Sequence, residues 1–157
     1  TRTGYYLKKY VDGTRNITTA NPNTSYHSWI IFRLSEFYLN YAEAMFNYMD
    51  RDATAVGEGV LDLSANDAIN VLRSRPSISM PLFGAETNGD VWEERYMRER
   101  MVELAFEGHR WFDMIRWDNG DYALNFLHSI GKVNAQRKHL LLPLPRQEVE
   151  SNPNLKQ

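Results

Sequence analysis

Glu99-Arg100-Met101-Val102-Glu103-Leu104-Ala105-Phe106-Glu107-Gly108-His109-Arg110-Trp111-Phe112-Asp113-Met114-Ile115-Arg116-Trp117 is the stretch on which the fold turns. Apolar residues recur through it and just before it at helical spacing, at Met97, Met101, Leu104, Trp111 and Ile115. Gly108 falls on the same face. Either one helix continues and the glycine admits a close neighbour, or a left-handed glycine separates two helices, which is the reading we favour. The charges are as patterned as the apolar residues. Arg95/Glu99, Glu99/Glu103, Arg100/Glu103, Glu103/Glu107 and Glu107/Arg110 stand three or four positions apart, within reach along a helix. From Arg15 to Arg116 every lysine-or-arginine position is arginine, ten in all. A planar, weakly hydrated fork that stays charged is suited to gripping carboxylates in partly buried places. A structural ion network is therefore expected, comprising Arg33, Glu36, Glu43, Arg73, Arg75, Glu99, Arg100, Glu103, Glu107, Arg110, Asp113 and Arg116.

Upstream, a helical period runs from Trp29 to Met49, with Leu34, Tyr38, Tyr41, Met45 and Tyr48 on one face and Glu36, Asn40, Glu43 and Asn47 opposite. Its flanks are also apolar, so this helix is expected to be packed on most sides. Ser64 followed by Asp67 reads as a capping box opening a second helix, whose buried face is Ala65, Ala68, Ile69 and Leu72. Arg73 and Arg75 suit its C-terminal end, and Pro76 stops it. Asp90 with Glu93 gives another box before the helical stretch first quoted. Gly4 to Val11 and His139 to Leu144 read as short strand-like pieces. The pattern predicts an all-α protein of tetratricopeptide-like helical hairpins, about 29–76 and 90–118, with long irregular loops, minor short strands and a loop-rich tail over 119–157. The Trp, Gly and Pro signature positions of that repeat are not met, and two hairpins are fewer than the ~3 units such stacks need.

Composition narrows the function classes. A chain of 157 residues with 43% hydrophobic and 24% charged residues suits one folded domain and is too apolar for a disordered one. No apolar run approaches the ~20 residues of a spanning helix. The net charge of −2 and the lack of a basic patch argue against a nucleic-acid partner. With no cysteine, a disulfide scaffold, a thiolate zinc site and a cysteine nucleophile are excluded. His27, His109, His128 and His139 show no ligand spacing, no Glu-x-x-His occurs, and Gly57-Glu58-Gly59 lacks what a phosphate loop requires, so no metal or cofactor is expected. Asn16-Ile17-Thr18 and Asn23-Thr24-Ser25 match a glycosylation acceptor pattern that is common by chance. Glu99, Glu103, Glu107 and Asp113 could supply the two carboxyl groups of a glycoside hydrolase. Neighbouring guanidinium groups lower carboxylate pKa values, the wrong direction for a general acid, so the ion-pair reading is preferred. The opening Thr1-Arg2-Thr3-Gly4-Tyr5-Tyr6 reads like the middle of a longer chain.

The stretch first quoted, with Phe32-Arg33-Leu34-Ser35-Glu36-Phe37-Tyr38-Leu39-Asn40-Tyr41-Ala42-Glu43-Ala44 and Ala68-Ile69-Asn70-Val71-Leu72-Arg73-Ser74-Arg75, resembles the C-terminal half of the SusD/RagB family. Leu142-Pro143-Leu144-Pro145, Glu148 and Asn152-Pro153-Asn154-Leu155-Lys156-Gln157 resemble that family's closing segment, and Thr3-Gly4-Tyr5 with Lys8 and Lys9 an upstream motif. The resemblance implies a surface-exposed lipoprotein of the cell outer membrane. Such a protein binds a nutrient, usually a glycan, and acts as a lid on a SusC-like TonB-dependent transporter. It also implies an all-α fold of four tetratricopeptide-like pairs, of which this chain would hold the last two. The anchor and the N-terminal half of the same protein would be partners absent from this sequence. Peptide or other polymer cargo, a glycoside hydrolase and a pure scaffold for protein partners are the rival readings.

The family's matched positions are structural, so ligand contacts must be sought from chemistry. Sugar rings stack an apolar face on aromatics and need polar groups beside them. Tyr26, His27 and Trp29 form one such cluster, and Trp117, Asn119 and Tyr122 another. For Trp29 and Trp117, core packing at a helix end is the stronger reading, which leaves Tyr26 and Tyr122 as the better candidates.

Overall fold

The computed structural model describes residues 4–5, 7–11, 27–49, 62–84 and 89–155. Tyr26, the two acceptor patterns and Gly57-Glu58-Gly59 lie outside these residues. The regular structure among them is entirely helical: α1 (Leu34–Tyr48), α2 (Ala65–Arg73), α3 (Gly89–Glu103), α4 (His109–Arg116), α5 (Asp121–Ser129) and α6 (Arg146–Ser151), with single 3-10 turns at Trp117–Gly120 and Arg137–Leu140. The protein is all-α. It forms two compact units, Thr1–Glu107 and Gly108–Gln157.

In the first unit α1 packs chiefly on α2, and α3 also touches α1. The capping box of α2 forms as its sequence requires. Asp67 N donates to Ser64 Oγ at 3.1 Å and Ser64 N to Asp67 Oδ2 at 3.2 Å, satisfying two helix-end donors reciprocally. Ala65, Ala68, Ile69 and Leu72 are all buried. Against them α1 buries Ser35, Leu39, Ala42 and Met45, one stripe rotated from the expected face. Leu34 and Tyr48, expected inside, are 66% and 88% exposed. The small side chains of Ser35 and Ala42 explain the rotation, because they let the alanine face of α2 approach where tyrosines would hold it off. α1 also begins at Leu34 and not at Trp29, since Arg33 is extended (φ −149°, ψ 162°) with its side chain engaged elsewhere. Asp90 lies inside the first turn of α3, which starts at Gly89.

A run of aromatic rings fills the gap between α1, α3 and the segment before α3. Trp92 stacks on Phe46 (centroids 4.1 Å) and on Tyr96 (5.4 Å), while Phe83 meets Trp92 edge-on at 5.7 Å. The one polar atom of the buried indole is satisfied, as Trp92 Nε1 donates to Asn66 Oδ1 at 2.7 Å.

The stretch that decides the fold does contain two helices. α3 stops at Glu103, Leu104 to Gly108 form turns in which Phe106 (φ 66°) and Gly108 (φ 88°) are left-handed, and α4 follows. The second expected hairpin, 90–118, is therefore divided between the two units. In the second unit Met114, Ala123 and Leu140 form the core, flanked by Trp111, Ile115, Tyr122, Leu124 and Leu127. The tail carries more order than its turn-rich sequence suggests, in α5, α6 and the turn at Arg137–Leu140. The short strands expected at Gly4–Val11 and His139–Leu144 are not present among the described residues. The second run begins in that 3-10 turn, and Pro143 and Pro145 have no N–H to offer a ladder.

Candidate functional site

At the C-terminal end of α3 three cations converge on two carboxylates. Arg33 Nε lies 2.9 and 2.8 Å from the two oxygens of Glu107, its Nη1 donates to Glu103 Oε1 at 2.7 Å and to Ser35 Oγ at 2.5 Å, and its Nη2 donates to the Glu103 carbonyl at 2.5 Å. Arg75 Nη2 reaches the other Glu103 oxygen at 2.7 Å. Lys9 pairs with Glu107 and donates to the carbonyls of Ala105 (2.9 Å) and Glu103 (3.2 Å). One turn back along α3, Arg73 Nη1 holds Glu99 Oε2 at 2.5 Å. The partners of Glu99, Glu103 and Glu107 thus come from residues 9, 33, 73 and 75, across the fold, where the sequence pointed to neighbours along one helix. The reason is the break after Glu103. Beyond it Glu107 leaves the helical register, and its side chain, 1% exposed, turns to Arg33 and Lys9.

The electrostatics follow from this geometry. Burial alone drives the Glu103 carboxyl up, but hydrogen bonds from Arg75, Arg33 and Ser35 outweigh it and hold the pKa down at about 2. Glu107 is also lowered, burial being overcome by Arg33 and Lys9. Burial would lower the Arg33 guanidinium, yet its bonds to Glu107 and Glu103 raise it. Both acids are therefore ionised at neutral pH, which suits clamping and not the donation of a proton to a leaving group. What the clamp positions is backbone. It ties residues near 9 and 33 to the turn after α3, with a further bond from the Tyr10 hydroxyl to the Phe106 carbonyl at 3.2 Å.

Other residues of the expected network make different contacts. The Tyr96 hydroxyl lies 2.7 Å from Glu43 Oε2 and 2.9 Å from the Leu39 carbonyl, and burial, aided by the Glu43 charge, raises that phenol. Buried Arg100 donates to Asn40 Oδ1 at 2.7 Å. Glu36 is half-buried in the first turn of α1. In the second unit Arg116 Nε donates to Asp113 Oδ1 at 3.0 Å. Arg110 spreads over the rings of Tyr122, Phe126 and Trp117, 5.5 to 5.9 Å from their centroids, and donates to the Tyr122 hydroxyl at 3.2 Å.

The two aromatic clusters differ. Trp117 is 5% exposed, covered by Arg110 and Arg116 and met edge-on by Tyr122 at 5.4 Å, so it is core and not a presented ring. Tyr122 is half-buried in the same packing. Asn119 is exposed in a turn where Asp118, Asn119 and Gly120 all have positive φ, and its carbonyl accepts from Arg137 at 2.7 Å. In the first unit His27 is exposed, and Trp29, 68% exposed, stacks almost flat on Tyr10 with centroids 5.5 Å apart and planes 6° apart. In the same unit a cleft of about 600 Å3 is lined by Tyr5, Leu7, Lys8, Lys9, Val102, Ala105 and Phe106. Sequence reading did not reach Tyr10. The signal available was its place beside Lys9, whose engagement with the turn after α3 fixes the ring next to it. Among the described residues no cluster of three or more His, Asp or Glu side chains could hold a metal ion.

Comparison with known proteins agrees in one direction. The SusD family model matches residues 1–157. A SusD-like protein of Formosa agariphila is 32% identical over 132 residues, covering 80% of this chain and 23% of that protein. The chain thus spans about a quarter of the relative's length. No solved structure matches it.

Proposed function

The chain belongs to the SusD family, and on that footing we propose that it is the C-terminal part of a non-catalytic protein that captures a nutrient glycan at the outer-membrane surface and delivers it to a SusC-like TonB-dependent transporter. The observation that carries the binding reading is the exposed Trp29 ring stacked on Tyr10, braced by the Lys9 and Arg33 clamp on Glu107. A flat, preordered aromatic pair gives a sugar ring an apolar face at little ordering cost, and exposed His27, two positions before Trp29 in sequence, is the proposed polar partner. Tyr26 belongs to the same proposed contact set by its position in sequence. Held ionised by arginine, Glu103 and Glu107 support a binding protein over a hydrolase. No helix among the described residues is long and apolar enough to cross a membrane.

Calorimetric titration of the chain with polysaccharides tests this reading. Binding is expected, with Trp29→Ala weakening it ~10-fold through the lost stacking. Binding of peptides in place of glycans would change the cargo, and new reducing ends in the incubated polysaccharide would replace the binding protein with an enzyme.

A further inference from the structure

Over residues 122–147 there is no acidic side chain, while Lys132, Arg137, Lys138 and Arg146 stand there, a local excess that the chain's net charge of −2 hides. These cations are too sparse to read as a patch along the sequence, and the structure divides them. Arg137 is engaged by Asp121 at 2.5 Å and by the Asn119 carbonyl at 2.7 Å, and Arg146 by Glu150 at 2.5 Å. Lys132 and Lys138 are exposed, and no ion pair or hydrogen bond ties either ammonium group to another described residue. They also differ in kind from the arginines that hold α3. A flexible apolar stem ending in a strongly hydrated charge suits a surface that is oily below and ionic above.

The loop between the two lysines is fixed, and it carries apolar side chains outward. α5 ends at a left-handed Gly131 (φ 85°), with Gly131 N donating to the His128 carbonyl at 3.0 Å and Lys132 N to the Leu127 carbonyl at 2.9 Å. Ala135 N donates to the Lys132 carbonyl at 2.9 Å, closing a tight turn whose central residues are Val133 and Asn134. His128 Nε2 donates to the Ala135 carbonyl at 3.0 Å and pins that turn to α5. Turn tips favour Gly, Pro, Asn, Asp and Ser. Here a β-branched valine stands at the tip, 72% exposed, and Ile130 before it and Leu141 and Leu142 after it are exposed as well. A hollow of about 320 Å3 beside the turn is lined by Gly131, Lys132, Val133, Asn134, Ala135 and His139. His139 accepts from Gln136 N through Nδ1 at 3.0 Å, so its neutral ring carries the proton on Nε2 and is a donor there. Two donor side chains, Lys132 and His139, and no acid thus border a hollow next to an outward-pointing valine.

We propose that the turn at Val133 docks on an anionic lipid surface, Val133 entering between headgroups while Lys132 and Lys138 meet their phosphates. A soluble polyanion would use the charge alone and leave the valine in water, whereas an anionic lipid surface satisfies both the aliphatic tip and the cations beside it. The inference stands apart from the glycan reading, and its test uses no sugar. The 157-residue chain is floated with vesicles of phosphatidylcholine and with vesicles that also carry phosphatidylglycerol, the neutral ones measuring adhesion by other exposed apolar side chains. Anionic vesicles are expected to bind it ~10-fold or more tightly than neutral ones, with the preference shrinking as salt is raised. Lys132→Gln and Lys138→Gln should each reduce the preference ~5-fold and together remove it, while Lys8→Gln, in the first unit, should leave it intact. Val133→Ser, which suits a turn tip, should weaken binding several-fold with the circular dichroism unchanged. Equal binding to both vesicles, or a preference that survives the double lysine variant, overturns the proposal. A preference untouched by Val133→Ser also overturns it, in favour of a soluble polyanion such as dextran sulfate.

Discussion

Arg33 joins several parts of the first unit. It spans both carboxylates of the clamp, a serine of α1 and a backbone carbonyl. Removing one member of a buried pair strands the charges it faced, so Arg33→Ala is expected to lower stability by ~3–5 kcal/mol in urea denaturation. The pH response follows from the same contacts. Glu103 falls from 4.5 to about 2 on folding, and Glu107 falls as well, so the unfolded chain binds more protons through that window. Their contribution is complete above the unfolded value near 4.5, and that of Glu103 is lost as pH falls toward 2. Unfolding followed from pH 5 to 2 should show this decline, and Glu103→Gln should flatten it. At this scale the arginine bias announced the chemistry, because only arginine serves so many acceptors at once. It could not announce the partners, since pairing within one helix and pairing between elements demand the same residue types.

Elements were legible where a local rule acts alone. The Ser64 and Asp67 box, the buried face of α2 and the separation of α3 from α4 at left-handed backbone all follow from short-range chemistry. The face of α1 did not, because its flanks are apolar nearly all round and hydrophobicity alone cannot choose among them. Packing chose the stripe of small residues that fits α2. The aromatic run is likewise a product of packing, joining Phe46, Trp92, Tyr96 and Phe83 from separate stretches. Trp92→Ala is expected to cost ~3–5 kcal/mol, since it empties a fully buried volume and leaves Asn66 Oδ1 without its donor. Thermal unfolding of the variant measures it, and a loss under 1 kcal/mol would show that neighbouring rings collapse into the space.

For the whole molecule, Ile31, Phe32, Leu34 and Phe37 remain exposed around the start of α1. Large apolar side chains left to solvent in one short stretch of sequence suit a contact face. With the chain proposed as one part of a longer SusD-like protein, that face is expected to be covered by the rest. The 157-residue chain should therefore bind the dye ANS, and the same chain joined to its upstream part should not. Equal dye binding would mean that the face serves some other partner. By itself the sequence determined the helical class, the family and the presence of an arginine and glutamate lattice, because these depend on periodicity, on residue order and on chemistry carried by single side chains. Only the tertiary structure decided which acid meets which guanidinium, and that Trp29 is presented while Trp117 is enclosed. Those outcomes depend on distances between residues tens of positions apart, which the fold sets and no local pattern encodes.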